Sequence, residues 1–283
     1  MKESGHRKNA AGNALRIVRA IVLAVLAVLL VLPSALPCIN QVFFGGFVAK
    51  IEREALRAHL EIHQLKFSHS ENGSSTAVSA GASGVVIGRD GDLYFALTAL
   101  HVAVEVPGPD RTRITVLGSA DEEFRDAYDQ GGASMGNVAD YYLQFPEARV
   151  VYSDADCDLA IIAFTSEEDL TVLPIAEEVP HFGDRIAAMG NPWGKRNLVT
   201  AGIVVGWEKW TFGEGAQAAR HPILRETAWS SEGSSGGALL NDKLEIAGLV
   251  VGGDKDLFGR PLRGVAVPCD RIRTFLDDWK NGT

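Results

Sequence analysis

The chain has 283 residues, of which 46% are hydrophobic, 22% charged and 8% aromatic, with 30 glycines. This composition supports a sizeable core and excludes a disordered tail, a collagen-like rod and a disulfide-dense miniprotein. The net charge of −9 argues against a sequence-blind nucleic-acid binder, and it is unevenly spread, +4 up to Ala49 and −13 beyond.

A basic segment, residues 1–19, precedes a stretch without charge, residues 20–49, in which Ala20 to Leu32 is unbroken apolar sequence. Thirteen residues suit a signal-peptide core. Extended through Leu36, the run approaches the roughly 17–25 residues that span a bilayer. Cleavage after Ala35 places Pro33 at the −3 position, which favours an uncleaved transmembrane anchor over a signal peptide. Arg16 and Arg19 then stay cytoplasmic and the body faces the periplasm or the extracellular space. Secretion after cleavage is the alternative. In residues 50–76, the spacing of Ile51, Ala55, Leu56, His59, Leu60, Ile62 and Leu65 suits an amphipathic stalk helix, followed by a polar linker from Ser68 to Thr76.

From Ala77 onward, short apolar runs alternate with Gly, Pro, Asn and Asp. Ser83–Gly88 and Leu93–Thr98 read as a hairpin. Further strands are expected at Arg113–Leu117, Ala148–Tyr152, Leu159–Phe164, Arg185–Met189, Leu198–Trp207, Gly236–Leu240, Glu245–Val251 and Gly264–Val267. The acidic stretch 120–145 reads as a solvated insertion. Asp270–Trp279 has a helical period, with Ile272, Phe275 and Leu276 on one face. The pattern is all-β, as two barrels or a sandwich, with one terminal helix.

Three segments carry chemistry: Thr98-Ala-Leu-His101, Asp154-Ala-Asp-Cys-Asp158 and Glu232-Gly-Ser-Ser-Gly-Gly-Ala238. Serine is a weak nucleophile until an imidazole takes its proton, and the imidazole needs a carboxylate to fix its tautomer. The order His, Asp, Ser is that of one of the known triad architectures. Alternation along a strand puts Asp154, Asp156 and Asp158 on one face. Asp158 abuts the apolar run, which favours it as the oriented carboxylate. Gly233 lets the loop curl so that backbone N–H groups can converge on an oxyanion.

Over Ala77 to Trp279 the chain resembles the trypsin-fold serine proteases, in particular the HtrA/Deg branch. Gly190-Asn-Pro-Trp-Gly194, Val199-Thr-Ala-Gly-Ile203 and Gly264-Val-Ala-Val-Pro268 are similar to further segments of that branch. The resemblance implies two six-stranded antiparallel barrels, residues 77–168 and 169–268, meeting near Ser166–Thr171, and a C-terminal helix over 269–283. It implies a serine endopeptidase with a place in protein quality control, which the N-terminal apolar run would tether to the membrane. The catalytic residues are His101, Asp158 and Ser235. The oxyanion hole is built from Gly233, Ser234 and Ser235. Substrate is bound by Trp229, Ser230, Leu249, Val250, Val251 and Gly252. No metal or other cofactor is expected. The partners implied are a protein or peptide substrate, the membrane and further copies of the chain, as a trimer. No Asp lies in the pocket-base region and Leu249-Val-Val-Gly252 is apolar, so small or medium aliphatic side chains are expected at the cleaved position. Ser234 and Ala238 depart from the family's Asn and Pro. The sequence stops at Thr283, so regulation through a PDZ domain is not expected. A catalytically silent peptide-binding scaffold or chaperone of the same fold, and an esterase, are the alternatives. Cys157 and Cys269 are expected as buried thiols, with a bridge between them as the other reading.

Overall fold

The computed structural model describes residues 42–70, 73–79, 81–104, 110–122, 124, 137–212, 219–255 and 261–282. The apolar run Ala20–Leu32 lies outside them. Among the described residues, no helix is long and apolar enough to cross a membrane. The chain divides into two units, Met1–Gly46 and Phe47–Thr283. All that follows concerns the second.

Seven strands form the first sheet: β1 (His59–Ser70), β2 (Gly73–Val78), β3 (Ala82–Asp90), β4 (Leu93–Ala99), β5 (Arg111–Gly118), β6 (Glu147–Asp154) and β7 (Leu159–Thr165). Six of them close into an antiparallel barrel, because β1 pairs with β3 on one side and with β5 on the other. The remaining strand, β2, extends β1 as a hairpin. Six further strands close a second barrel: β8 (Arg185–Gly190), β9 (Leu198–Phe212), β10 (Ala219–Glu226), β11 (Ala238–Leu240), β12 (Ile246–Lys255) and β13 (Pro261–Pro268). Closure removes the free sheet edges that would otherwise recruit other strands. Besides the helical backbone of residues 42–54, the described helices are α1 (Leu100–Ala103), α2 (Val138–Leu143) and α3 (Cys269–Gly282). In α3 the buried face is Ile272, Phe275 and Leu276.

Each barrel has its own core. Leu60, Ile62, Val86, Tyr94, Ile162 and Phe164 fill the first, and Ile186, Val204, Leu224, Leu239, Val250 and Ala266 the second. Cys157 and Cys269 are buried free thiols. Burial raises both above the ordinary thiol range.

The stalk helix and linker expected over residues 50–76 are corrected. Helical backbone ends at Glu54, a 3₁₀ turn spans Leu56–Ala58, and His59–Ser70 is a strand of the first barrel. From His59 to Leu65 every residue is buried. Leu60 and Ile62 face the apolar core, while His59, Glu61 and His63 on the other face are buried in polar contacts. A strand covered on both faces loses the period-2 signature, and its buried polar residues imitate the wet side of a helix. β10 was also absent from the expected strands. The acidic insertion is only partly a solvated loop. Its described end is α2, capped by Asn137, with Tyr141 and Tyr142 packed against Leu65 and Leu117.

Candidate active site

His101 sits in α1, the single turn of helix that follows β4. Asp158 ends the turn between β6 and β7 and has φ = +55°. Its own carbonyl accepts from the N–H of Leu100 at 2.9 Å. Its carboxylate then grips His101 twice. Oδ1 accepts from the His101 backbone N–H at 2.9 Å, and Oδ2 lies 2.7 Å from Nδ1. The carboxylate is 15% exposed and the imidazole 49%, so one face of the pair is sheltered while the ring reaches the surface. The alternation expected for the three aspartates does not apply, because residues 155–158 form a turn. Asp154 instead accepts from the N–H of Asp156 and approaches Cys157 Sγ.

Ser235 arrives from the second barrel on the loop between β10 and β11. Its carbonyl accepts from the N–H of Ser83 in β3 at 2.9 Å. Gly236, with φ = +85°, fits against the end of β4: a Cβ there would lie 2.1 Å from Ser83 O, 2.3 Å from Thr98 Oγ1 and 3.0 Å from Ala99 N. Only glycine permits that approach. The serine is thereby held beside the strand that ends two residues before His101. Among the described residues, no hydrogen bond joins His101 to the Ser235 hydroxyl.

The loop before the serine is held by the first barrel and by the segment after β8. Asn191 and Ser83 are both fully buried. Ser83 Oγ donates to Gly233 O at 2.7 Å and accepts from Asn191 N at 3.0 Å. The Asn191 side chain donates to Ala82 O and accepts from His59 Nε2 and Asn197 N, all at 3.0 Å. Burial holds the His59 imidazole down at about 4, so the ring is neutral at physiological pH and donates from Nε2. The N–H of Trp193 donates to Glu232 O at 2.7 Å. A trans peptide points its N–H opposite to its C=O, so the Gly233 N–H is turned away from Trp193. With φ = +93° and a would-be Cβ 2.3 Å from Asn191 O, Gly233 has no substitute. The N–H groups of Gly233 and Ser235 donate to nothing among the described residues. Beside this loop is a cleft of about 460 Å³ whose lining includes His63, Gly81, Tyr142, Trp193, Glu232 and Gly233.

Residues 82–249 match the model of the trypsin-like peptidase domain. The chain belongs to that family. Among curated relatives, the peptidase domain is 32% identical over 135 residues to the serine endoprotease DegS of Escherichia coli K12, covering 46% of this chain and 37% of DegS. It is 27% identical over 232 residues to the mitochondrial serine protease HTRA2 of Bos taurus, covering 82% and 43% respectively. The chain thus spans less than half the length of these relatives. The fold is shared with Rv3671c of Mycobacterium tuberculosis, seen as an inactive serine-to-alanine form, with a TM-score of 0.55, 18% identity and coverage of 83% and 90%. The likeness to the HtrA/Deg proteases, a family of serine-type endopeptidases, stands on these matches.

Within the peptidase domain the expected site residues divide. His101 and Asp158 are paired, and Ser235 and Gly233 stand at the seam beside them. Ser234 is corrected as an oxyanion donor: its N–H is committed to Ser231 O at 2.9 Å, and its Oγ accepts from Ser231 N at 3.1 Å. Leu249 and Val250 are buried, Val250 in the barrel core. Their side chains are therefore core rather than pocket wall. The Val250 backbone pairs with Gly236 and Gly237, and Val251 and Gly252 are half-buried. Trp229 stands edge-on to Trp193 with ring centroids 4.9 Å apart, and its carbonyl accepts from Thr200 Oγ1. Ser230 is buried and its hydroxyl has no hydrogen-bond partner among the described residues.

Sequence reasoning missed Ser83, the pivot of the seam, and Glu226, whose fully buried carboxyl oxygens have no hydrogen-bond partner among the described residues. Among the described residues, no cluster of three or more His, Cys, Asp or Glu side chains could hold a metal ion.

Proposed function

We propose that the chain is a serine endopeptidase that hydrolyses peptide bonds of protein substrates through His101, Asp158 and Ser235. The observation that carries this reading is the two-point grip of Asp158 on His101 beside a serine loop with two unclaimed N–H groups. With Asp158 accepting from Nδ1–H, the lone pair of Nε2 is left to take a proton. Ser235 Oγ attacks the scissile carbonyl as its proton passes to Nε2. The C–N bond breaks, and the departing amine takes that proton. Water, activated by the same imidazole, then cleaves the acyl ester. The N–H groups of Gly233 and Ser235 receive the oxyanion, and each such donor typically contributes about 3–4 kcal/mol to transition-state stabilisation. The His101–Ser235 hydrogen bond forms as substrate closes the site, since such bonds are often loose before substrate arrives.

The missing His101–Ser235 bond is also what the silent-scaffold reading draws on. The full chain treated with a fluorophosphonate probe separates the two. Labelling lost in Ser235→Ala, with cleavage of an unfolded protein such as casein, supports the endopeptidase. Absence of labelling sinks it. Cleavage of small esters but not of casein would indicate an esterase.

The membrane reading rests on sequence alone. A basic start, the apolar run Ala20–Leu32 and an acidic body support a single-pass anchor with the peptidase domain outside the cytoplasm. Protease added to spheroplasts, with any outer barrier removed and the inner membrane intact, should degrade the domain; full protection there would refute this orientation.

A further inference from the structure

Glu226 has no role in the mechanism above, yet its carboxyl is completely buried. It is the last residue of β10 and pairs across the sheet with Gly264 of β13, which in turn pairs with Gly253 of β12. A Cβ on Gly264 would fall 1.5 Å from Glu226 Oε1 and 2.8 Å from Ser230 Oγ. The carboxyl therefore occupies the space that the glycine leaves, next to the hydroxyl of Ser230. Neither group has a hydrogen-bond partner among the described residues. Native structures rarely leave two adjacent buried polar groups unsatisfied, and those that do so usually await a ligand or a water.

The position of this pair relative to Ser235 gives it a use. Ser230 opens the short segment that turns through the Ser231–Ser234 hydrogen bonds to Ser235. The opposite wall is Val251 and Gly252, adjoining Val250, whose backbone bonds Gly236 and Gly237. The Glu226 carboxyl and the Ser230 hydroxyl thus lie together at the start of the segment that leads to Ser235, and among the described residues no ion pair joins Glu226 to a cation. Arg225, the neighbour on β10, pairs instead with Glu208 and Asp254.

Building on the endopeptidase reading, we infer that Glu226 and Ser230 form the floor of the primary specificity pocket and select a Lys or Arg side chain on the residue whose carbonyl is attacked. This replaces the aliphatic preference expected from sequence, where no Asp was found because the carboxyl comes from a different strand. Burial pushes the empty acid up to about 8, opposed only by the nearby Ala228 N–H. An arriving cation supplies the missing partner, and the acid gives its proton to solvent. A buried carboxylate left without its cation is strongly unfavourable, so the selection should be steep.

The test uses the full chain purified in detergent, with benzamidine as a small amidinium probe and a peptide panel varied only at the cleaved position. Peptides with Arg or Lys there should be cut at least about 10-fold faster, in kcat/KM, than those with Leu or Val. In Glu226→Gln that ratio should fall about 100-fold. Benzamidine should protect Ser235 from the fluorophosphonate in the parent chain and far less in the variant. Labelled enzyme that prefers Leu or Val, with no protection at about 10 mM benzamidine, overturns the inference but leaves the endopeptidase reading intact. If Ser235 does not label at all, the endopeptidase reading fails, and thermal unfolding reads the pocket instead. A benzamidine-induced rise in Tm that Glu226→Gln abolishes upholds the cation site, and no rise refutes it. If the variant does not fold, the parent chain's peptide preference and benzamidine protection decide alone.

Discussion

Replacing Glu226 by Gln should stabilise the peptidase domain, by an amount that grows with pH. In the folded chain the carboxyl is fully buried, with no hydrogen-bond partner for its oxygens among the described residues, and its acid form is favoured up to about 8, against an ordinary value of 4.5. The unfolded chain ionises freely above 4.5 and so binds fewer protons across that interval. Stability must then fall as pH rises through it, by about 1.4 kcal/mol per pH unit, or about 5 kcal/mol in all. Glutamine keeps the shape of the neutral acid and escapes this loss. The difference between Glu226→Gln and the parent should be near zero at pH 4.5, about 3 kcal/mol at pH 7 and about 5 kcal/mol above pH 8. For a domain of this size, 3 kcal/mol is a rise in Tm of roughly 6–12 °C. His59 acts with the opposite sign: its imidazole is held down at about 4, so stability is lost as pH falls below 6.5. The pH profile of the parent alone therefore mixes the two effects, and the difference from the variant isolates Glu226. Thermal unfolding of both chains from pH 5 to 8.5, without substrate, is the assay. A flat difference across that range would refute the reasoning, because it would mean that the carboxyl is ionised or hydrated in the folded chain.

Asp158→Asn should leave the fold intact and reduce peptide hydrolysis about 10⁴-fold, because the amide fixes the wrong tautomer of His101; unaltered circular dichroism with near-parental rates would contradict it. Gly233→Ala places a methyl group 2.3 Å from Asn191 O at φ = +93°. The loop must shift, and fluorophosphonate labelling should slow by about 10²–10³-fold. Arg196→Met removes the guanidinium 2.5 Å from Glu61, a carboxylate only 1% exposed, and should destabilise by about 3–5 kcal/mol. Adding Glu61→Leu to that variant should recover most of the loss in chemical denaturation.

The second barrel was largely legible because its strands alternate glycine-rich turns with apolar runs. The three chemical segments were legible because their residue types are constrained by proton transfer and by close backbone approach, as at Gly233 and Gly236. The first barrel's opening strand was not, since His59, Glu61 and His63 are buried by polar partners distant in sequence, which no local pattern encodes. For the same reason the buried Glu226–Ser230 pair escaped notice. Glu226 meets Ser230 only through the register of β10 against β13 and the missing side chain of Gly264, a juxtaposition that exists only in the folded barrel. The single turn that tips Asp158 out of strand geometry was invisible too, although the apolar run after it picked out the carboxylate that contacts His101.

The hydrogen bonds around Ser83 bear on how this protein can be rebuilt. Its N–H holds the carbonyl of Ser235, and its hydroxyl holds Gly233 while receiving Asn191. The two halves look like modules, but a chimera that exchanges one of them with a relative will inherit a mismatched clasp. Grafts should carry Ser83, Asn191 and the 230–237 loop together as one transplantable unit.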